Sequence, residues 1–102
     1  MSTLTLSTNS YFYIDFDTKS GFWGTLPTIR YYVESEYPIN TFFVDDANLQ
    51  LFLNGSQYTL YEMFNNMIEH RIMFNVPHIG NWHLIISNPN NNNTAVHYRD
   101  NW

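Results

Sequence analysis

The chain contains no cysteine, and in 102 residues it has only four basic side chains, four glycines and four prolines. Each shortage excludes something. Without cysteine there is no disulfide framework and no thiolate metal site. The four cations, Lys19, Arg30, Arg71 and Arg99, are scattered through a chain of net charge −5. A nucleic-acid binder needs a basic stripe to displace counterions from phosphates, so we expect no nucleic-acid partner. An anionic membrane surface is disfavoured for the same reason. The first residues, Met1 to Thr8, carry neither a basic start nor a long apolar run. We therefore expect no signal peptide, no membrane span and a cytoplasmic location. No glycine-rich loop is present to cradle a phosphate, and no Gly-x-Ser-x-Gly turn to present a nucleophile. The reading assigns no cofactor and no catalytic residue.

Rings are plentiful instead. Aromatic residues make up 19% of the chain, which suits a β-rich core of pleated, half-buried surfaces. Some tyrosines are expected outside as a contact surface. A chain of this length is one domain, residues 1–102, with enough buried surface for a single core.

The apolar period places the elements. Leu4 and Leu6 alternate with polar residues in a short edge strand. Phe12, Ile14 and Phe16 alternate with Tyr11, Tyr13, Asp15 and Asp17 in a half-buried strand. Phe22-Trp23-Gly24 either covers an edge of the core or forms an exposed contact, and we expect the covering role. Ile29, Tyr31 and Val33 line one face of the next strand. Residues 35–38 turn the chain at Pro38, and 39–44 form the following strand. From Asp45 the period changes: Leu49, Phe52 and Leu53 fall at helical spacing, an acidic residue stands at the start, and Gly55 ends the segment. A short strand is expected over 57–61, a helical turn or mobile loop over 62–68, and a strand over 69–76 with Ile72, Phe74 and Val76 inward. Val76-Pro77 ends that strand, Gly80 permits the turn, and Trp82, Leu84 and Ile86 alternate with His83, Ile85 and Ser87. An apolar residue on both faces marks a central strand. Asn90 to Asn93 make an exposed hairpin loop, and Val96 and Tyr98 point inward from the last strand. The expected fold is all-β: an antiparallel two-sheet β-sandwich of about eight strands with one short helical insertion.

Candidate chemistry is sparse. His78 and His83 are close in sequence, yet metal sites usually need three or four ligands, so both are read as surface or hydrogen-bonded strand residues. Asp45-Asp46-x-Asn48 resembles an oxygen-ligand cluster but lacks the glycine and distant glutamate of a calcium loop. Asp46 and Asn48 are read instead as capping and turn residues. Asp15 and Asp17 are read as a solvated pair. Pro77, Gly80 and Trp82 are structural. The segment Tyr58–Met67 carries Tyr58, Tyr61, Met63, Phe64 and Met67, more large apolar groups than a short connection needs. These either close an open end of the core or form a contact surface, since methionine adapts to irregular surfaces and rings give contact area at low entropy cost.

The run from Val33 to Asn48, then Asn54-Gly55, then the run from Val76 to Asn88, resembles small GOLD-like β-sandwich modules. Those pass through an Asp-x-x-Asn helical insertion to a Val-Pro-x-x-Gly-x-Trp/Tyr turn and an apolar strand ending in Asn. The Asp45/Asn48 and Pro77/Gly80/Trp82 pattern is also similar to a bacterial family of unknown function sometimes joined to TIR domains. The likeness spans Tyr11 to Tyr98, and the Tyr58–Met67 segment departs from it. The resemblance implies a non-enzymatic interaction or assembly module with a protein partner or a second copy of itself. It implies a setting in bacterial antiphage immune signalling, or in a phage protein opposing it. The alternative is a sandwich that binds a small ligand, a nucleotide-derived signal or a sugar, through aromatic and amide side chains.

Overall fold

A computed structural model of the chain describes residues 1–100; Asn101 and Trp102 lie outside the described residues. The described residues form strands β1 (Ser2–Leu6), β2 (Tyr11–Thr18), β3 (Thr28–Asp45), β4 (Tyr61–Asn75), β5 (Gly80–Ser87) and β6 (Thr94–Asp100), with one helix, α1 (Asp46–Leu53), between β3 and β4. All strand pairs are antiparallel, in the order β1-β6-β3-β5-β2, with β4 also paired to β3. This is one curled antiparallel sheet of six strands among the described residues, where the sequence suggested about eight shorter ones in two sheets.

The difference lies in β3 and β4. The turn expected at 35–38 does not end β3; the strand continues through it for 18 residues. Its first part pairs with β6, from Tyr31↔Asp100 to Ser35↔Val96, and its second with β5, from Asn40↔Ser87 to Asp45↔Trp82. Pro38 has no amide hydrogen to give to a ladder, and the register with β4 shifts between Glu34 and Ile39. Side chains serve the displaced backbone. Thr94 Oγ1 accepts from the Tyr37 amide (3.0 Å), Ser35 Oγ donates to the Tyr37 carbonyl (2.7 Å), and Asn90 Nδ2 donates to the Pro38 carbonyl. With the polar groups satisfied, the chain bends without leaving the sheet.

The same logic corrects the next stretch. Residues 57–60 are not a strand, because the Thr59 amide is taken by Asn48 Oδ1 at 2.8 Å. The expected helical turn or loop at 62–68 is instead bulged strand. Glu62 (φ 50) and Asn66 (φ 57) take positive angles, and the Asn66 amide donates to Asn40 Oδ1 at 2.8 Å.

The curl buries one face on itself. Trp82, Leu84 and Ile86 of β5 share a core with Tyr31 and Val33 of β3, Ile72 and Phe74 of β4, Val96 of β6 and Leu6 of β1. Ring contacts from β2 to the far part of the sheet, Phe12–Tyr98 at 5.5 Å and Phe16–Tyr31 at 5.4 Å, close it. The opposite face of β5 and β3 is covered by α1, with Leu49 on Phe42, Val44 and Ile85, flanked by Phe52, Tyr58 and Leu60. β5 is therefore apolar on both faces, as the sequence indicates.

Trp82 fills the centre. Its ring meets Tyr61 at 5.2 Å, Phe74 at 5.1 Å and His78 at 4.8 Å, and its Nε1 donates to the His78 carbonyl at 2.9 Å. That bond closes the Pro77 turn. Gly80 follows at φ 129, an angle side chains rarely adopt, and its amide and carbonyl both engage Thr18 Oγ1. Polar clasps hold the periphery. Buried Asn88 donates from Nδ2 to the carbonyls of Leu6 and Asn92, while its Oδ1 accepts from the Asn90 amide. The asparagine run is an exposed loop as expected, but Asn90 is tied into the fold. Among the described residues, no buried side-chain polar atom lacks a partner.

Two outcomes follow. Trp82→Ala removes a fully buried ring and should cost about 3–5 kcal/mol, read from chemical denaturation. His70 is buried with both nitrogens engaged: Nε2 donates to the Met67 carbonyl (2.8 Å), so Nδ1 of the neutral ring accepts from the Thr41 hydroxyl (2.9 Å). Burial, against the opposing pull of the Met67 carbonyl, holds its pKa below the ordinary value. The unfolded chain then binds the proton more readily, so His70's contribution is complete above about pH 6.5 and is lost as pH falls towards the folded value. Melting temperature should drop on acidification from pH 7 to 5, and His70→Gln should flatten that drop; an unchanged slope would remove His70 as the titrating group.

Candidate functional site

The most unusual surface is the connection between β2 and β3. A tight turn over residues 21–25 is held by Gly21 N–H to the Thr25 carbonyl (2.9 Å), Gly24 N–H to the Gly21 carbonyl (3.3 Å) and Thr25 N–H to the Phe22 carbonyl (3.2 Å). Trp23 sits in the left-handed region (φ 61, ψ 25), followed by Gly24 at φ 71. A non-glycine residue held there carries backbone strain. The turn turns its apolar groups outward: Phe22 is 89% exposed, Trp23 99% and Leu26 50%. The expected covering role is therefore corrected. The reason is local geometry, since the closed turn aims both rings away from the core.

A pocket of about 340 Å³ lies beyond the other end of β2. Its walls include Tyr11, Phe42, Phe52, Tyr58 and Met63, with Asn9, Ser87 and Asn88 supplying polar groups. The rings are mutually packed: Tyr11–Phe52 at 4.9 Å, Phe52–Tyr58 at 5.2 Å and Phe42–Tyr58 stacked at 5.9 Å. These T-shaped and stacked contacts fix the walls in place.

The segment Tyr58–Met67 divides between the two roles considered for it. Tyr61 packs on Phe74 and Trp82, and Phe64 lies against His70 at 6.1 Å, so both close the core. Tyr58 walls the pocket. Met63 and Met67 are 42% and 40% exposed.

The acidic and histidine residues form two separate links. His83 reaches Asp15 Oδ1 of β2 through Nδ1 (2.6 Å) and Asp46 Oδ1 of α1 through Nε2 (2.7 Å). Only the imidazolium carries a hydrogen on both nitrogens, so both contacts are hydrogen bonds when His83 is charged. His78 reaches Asp45 Oδ2 at 3.2 Å. The cap of α1 is Asp45, not Asp46. Asp45 Oδ1 accepts from the Asn48 amide (3.0 Å) and from Asn48 Nδ2 (2.8 Å), while Asp46 is the first helical residue, turned to His83. Burial raises the Asp45 pKa, but the Asn48 bonds and then His78 outweigh it, holding the carboxyl below its usual range. Asn48 acts as a turn residue, as the sequence indicated, but the capping role expected of Asp46 falls to Asp45; Asp15 is bonded rather than simply solvated. The signal for that link was a histidine on the outer face of an otherwise apolar strand, and the register pair Asp15↔His83 completes it.

A larger cleft, about 530 Å³, runs between β2 and the start of β3, with Asp15, Asp17, Lys19, Arg30 and Asp100 among its walls. Burial, then the Asp100 and Tyr98 side chains, push the Tyr31 hydroxyl there up to about 12, so it remains a neutral donor. Among the described residues no three His, Cys, Asp or Glu side chains are placed to hold a metal ion. No helix among them is long and apolar enough to cross a membrane.

Compared with protein-family models and with curated proteins, the chain matches none.

The cap assignment has a direct check. Asp45→Ala should lose about 0.5–2 kcal/mol of stability in urea denaturation. Equal losses from Asp45→Ala and Asp46→Ala in a His83→Gln background, where the Asp46 link is already gone, would contradict it.

Proposed function

We propose that this protein is a binding module without chemistry of its own, and that it engages a protein partner through the Phe22–Trp23 turn. The observation that carries this is the near-complete exposure of two adjacent rings on a hydrogen-bonded turn. Isolated apolar residues are ordinary on protein surfaces, but a tryptophan and a phenylalanine presented together match the residues that dominate interfaces. Backbone strain at Trp23 points the same way, because strained positions collect where binding needs them.

The finer architecture belongs to the same reading. Bent β3 serves two parts of the sheet, β6 and then β5, with β4 along its other side, and we read the curl as a two-layer sandwich of GOLD-like type. The setting in antiphage signalling or its phage counterpart rests on that resemblance alone. A second reading draws on the aromatic pocket: a small planar ligand stacked on Tyr11, Phe52 and Tyr58, at the lower end of usual pocket volumes.

The test is the double variant Phe22→Ser with Trp23→Ser. Stability should stay within about 0.5 kcal/mol of the wild type, because neither ring supports the core. Association, read by native mass spectrometry of the protein alone and with cell extract, should be lost. A variant that keeps every association of the wild type would end the turn's role. A small molecule retained by the wild type and by this variant alike, with no protein captured by either, would favour the second reading.

A further inference from the structure

We propose that the cleft between β2 and the start of β3 receives an extended segment of another polypeptide, basic at alternate positions, which adds to the sheet as a strand along β2. The site is distinct from the Phe22–Trp23 turn, neither ring of which walls it. Among the described residues β2 pairs only with β5, so its other edge carries no strand. The cleft, about 530 Å³, follows that edge. One wall is the unbroken run of residues 14–19, and the other is residues 27–31. A cavity on one face of a strand touches every second residue; a cavity that touches each residue in turn lies along the edge. Residues 14–19 span about 20 Å, and alternate residues of an edge direct their N–H and C=O groups outward. Those groups are a template for a further strand.

A second observation points to an occupant. Tyr31 is only 5% exposed, its ring held edge-on by Phe16 at 5.4 Å and stacked on Tyr98 at 6.4 Å. No described residue hydrogen-bonds its hydroxyl, yet no buried side-chain polar atom among the described residues lacks a partner. The hydroxyl therefore opens into the cleft that its ring walls. It remains a neutral donor, suited to a carbonyl. Charge selects the kind of segment. Asp15 and Asp17 stand two residues apart on the outer face of β2, so an added strand meets them with two side chains of its own at the same spacing. Asp15 uses one oxygen on His83, and Asp17 makes no ion pair among the described residues. A second copy of β2, paired antiparallel about Phe16, would set Asp15 against Asp17 twice, and like charges directly opposed are destabilising. Lysine or arginine at both places is favourable instead. Lys19 follows in the same alternation and suits an acidic residue at the start of an antiparallel segment. On the far wall Arg30 and Asp100 add no net sign.

The experiment is isothermal titration calorimetry with a synthetic peptide, Glu-Val-Lys-Val-Lys blocked at both ends, with melting curves to verify folding. The wild type should bind it saturably. The charge-reversed peptide, Lys-Val-Glu-Val-Glu, should not bind, and a peptide of the first composition with its lysines adjacent should bind more weakly. Asp17→Lys should weaken binding about two- to thirtyfold. Tyr31→Phe, which removes the hydroxyl alone, should weaken it about two- to tenfold. Methylating the peptide's amide nitrogens in two alternate sets separates strand pairing from attraction of charge: one set should abolish binding and the other leave it, because only alternate amides face β2. The Phe22→Ser, Trp23→Ser variant should bind the peptide as the wild type does. Equal binding of both methylated sets, equal binding of the adjacent-lysine peptide, or unchanged affinity in Asp17→Lys would overturn the proposal, as would loss of peptide binding in the turn variant. Absence of saturable binding to the wild type would also overturn it. The binding-module reading would still stand in that case if the turn variant loses capture of a protein from extract.

Discussion

Continuity of β3 governs this fold. A single strand must satisfy β4 along one side and two successive neighbours, β6 then β5, along the other. No flat strand can do this over 18 residues while burying one face, because β5 and β6 must both present apolar side chains to the same core. The bend at 35–38 resolves the conflict. It leaves amide and carbonyl groups outside the ladder, and Thr94, Ser35 and Asn90 take them up. Those residues come from the bend itself and from the loop and strand 50 and more residues later, so the bend is complete only once the C-terminal part of the chain has docked. Local sequence starts the turn; tertiary contacts decide its shape.

The polar interior follows the same rule. His70 sits among apolar side chains at a bulge, with a donor and an acceptor arranged so that the neutral ring satisfies both. His83 joins an outer strand to the helix through two carboxylates. Asn88 binds the β1–β2 connection to the loop before β6. A buried polar group with its partners in place fixes one arrangement, because any slip of register would leave it unpaired at a cost of about 1–3 kcal/mol. Such groups contribute specificity of register where an apolar core would tolerate sliding.

Periodicity carried the inner face well. Ile72, Phe74, Val76, Trp82, Leu84, Ile86 and Val96 lie where the alternation puts them, and Asp45 to Gly55 gave the helix. Two kinds of feature escaped it. Bends that stay within a strand look like turns in sequence, since Pro38 and Asn66 signal a break without saying whether side chains elsewhere will mend it. The partner of a charged residue is also hidden, because His83, Asp15 and Asp46 meet only through cross-strand register and helix docking. Phe22 and Trp23 were visible as an anomaly, but hydrophobicity alone favours burial. Their exposure comes from the backbone, where the closed 21–25 turn leaves them no core to face.

The pairing of β1 with β6 bears on how such a unit can be carried. Ser2 stands directly opposite Tyr98, so the first and last strands run side by side in opposite directions. Opposed residues in an antiparallel pair are separated by about 4.5–5.5 Å. A host chain could therefore be led into this fold and out again at nearly one point, with a gap no wider than a surface hairpin's. A loop of another protein whose two ends stand that close would meet residues 2 and 98 without being stretched. Geometry at the edge of the sheet thus gathers the entry and exit of residues 2–98 at one place, whatever its rings hold.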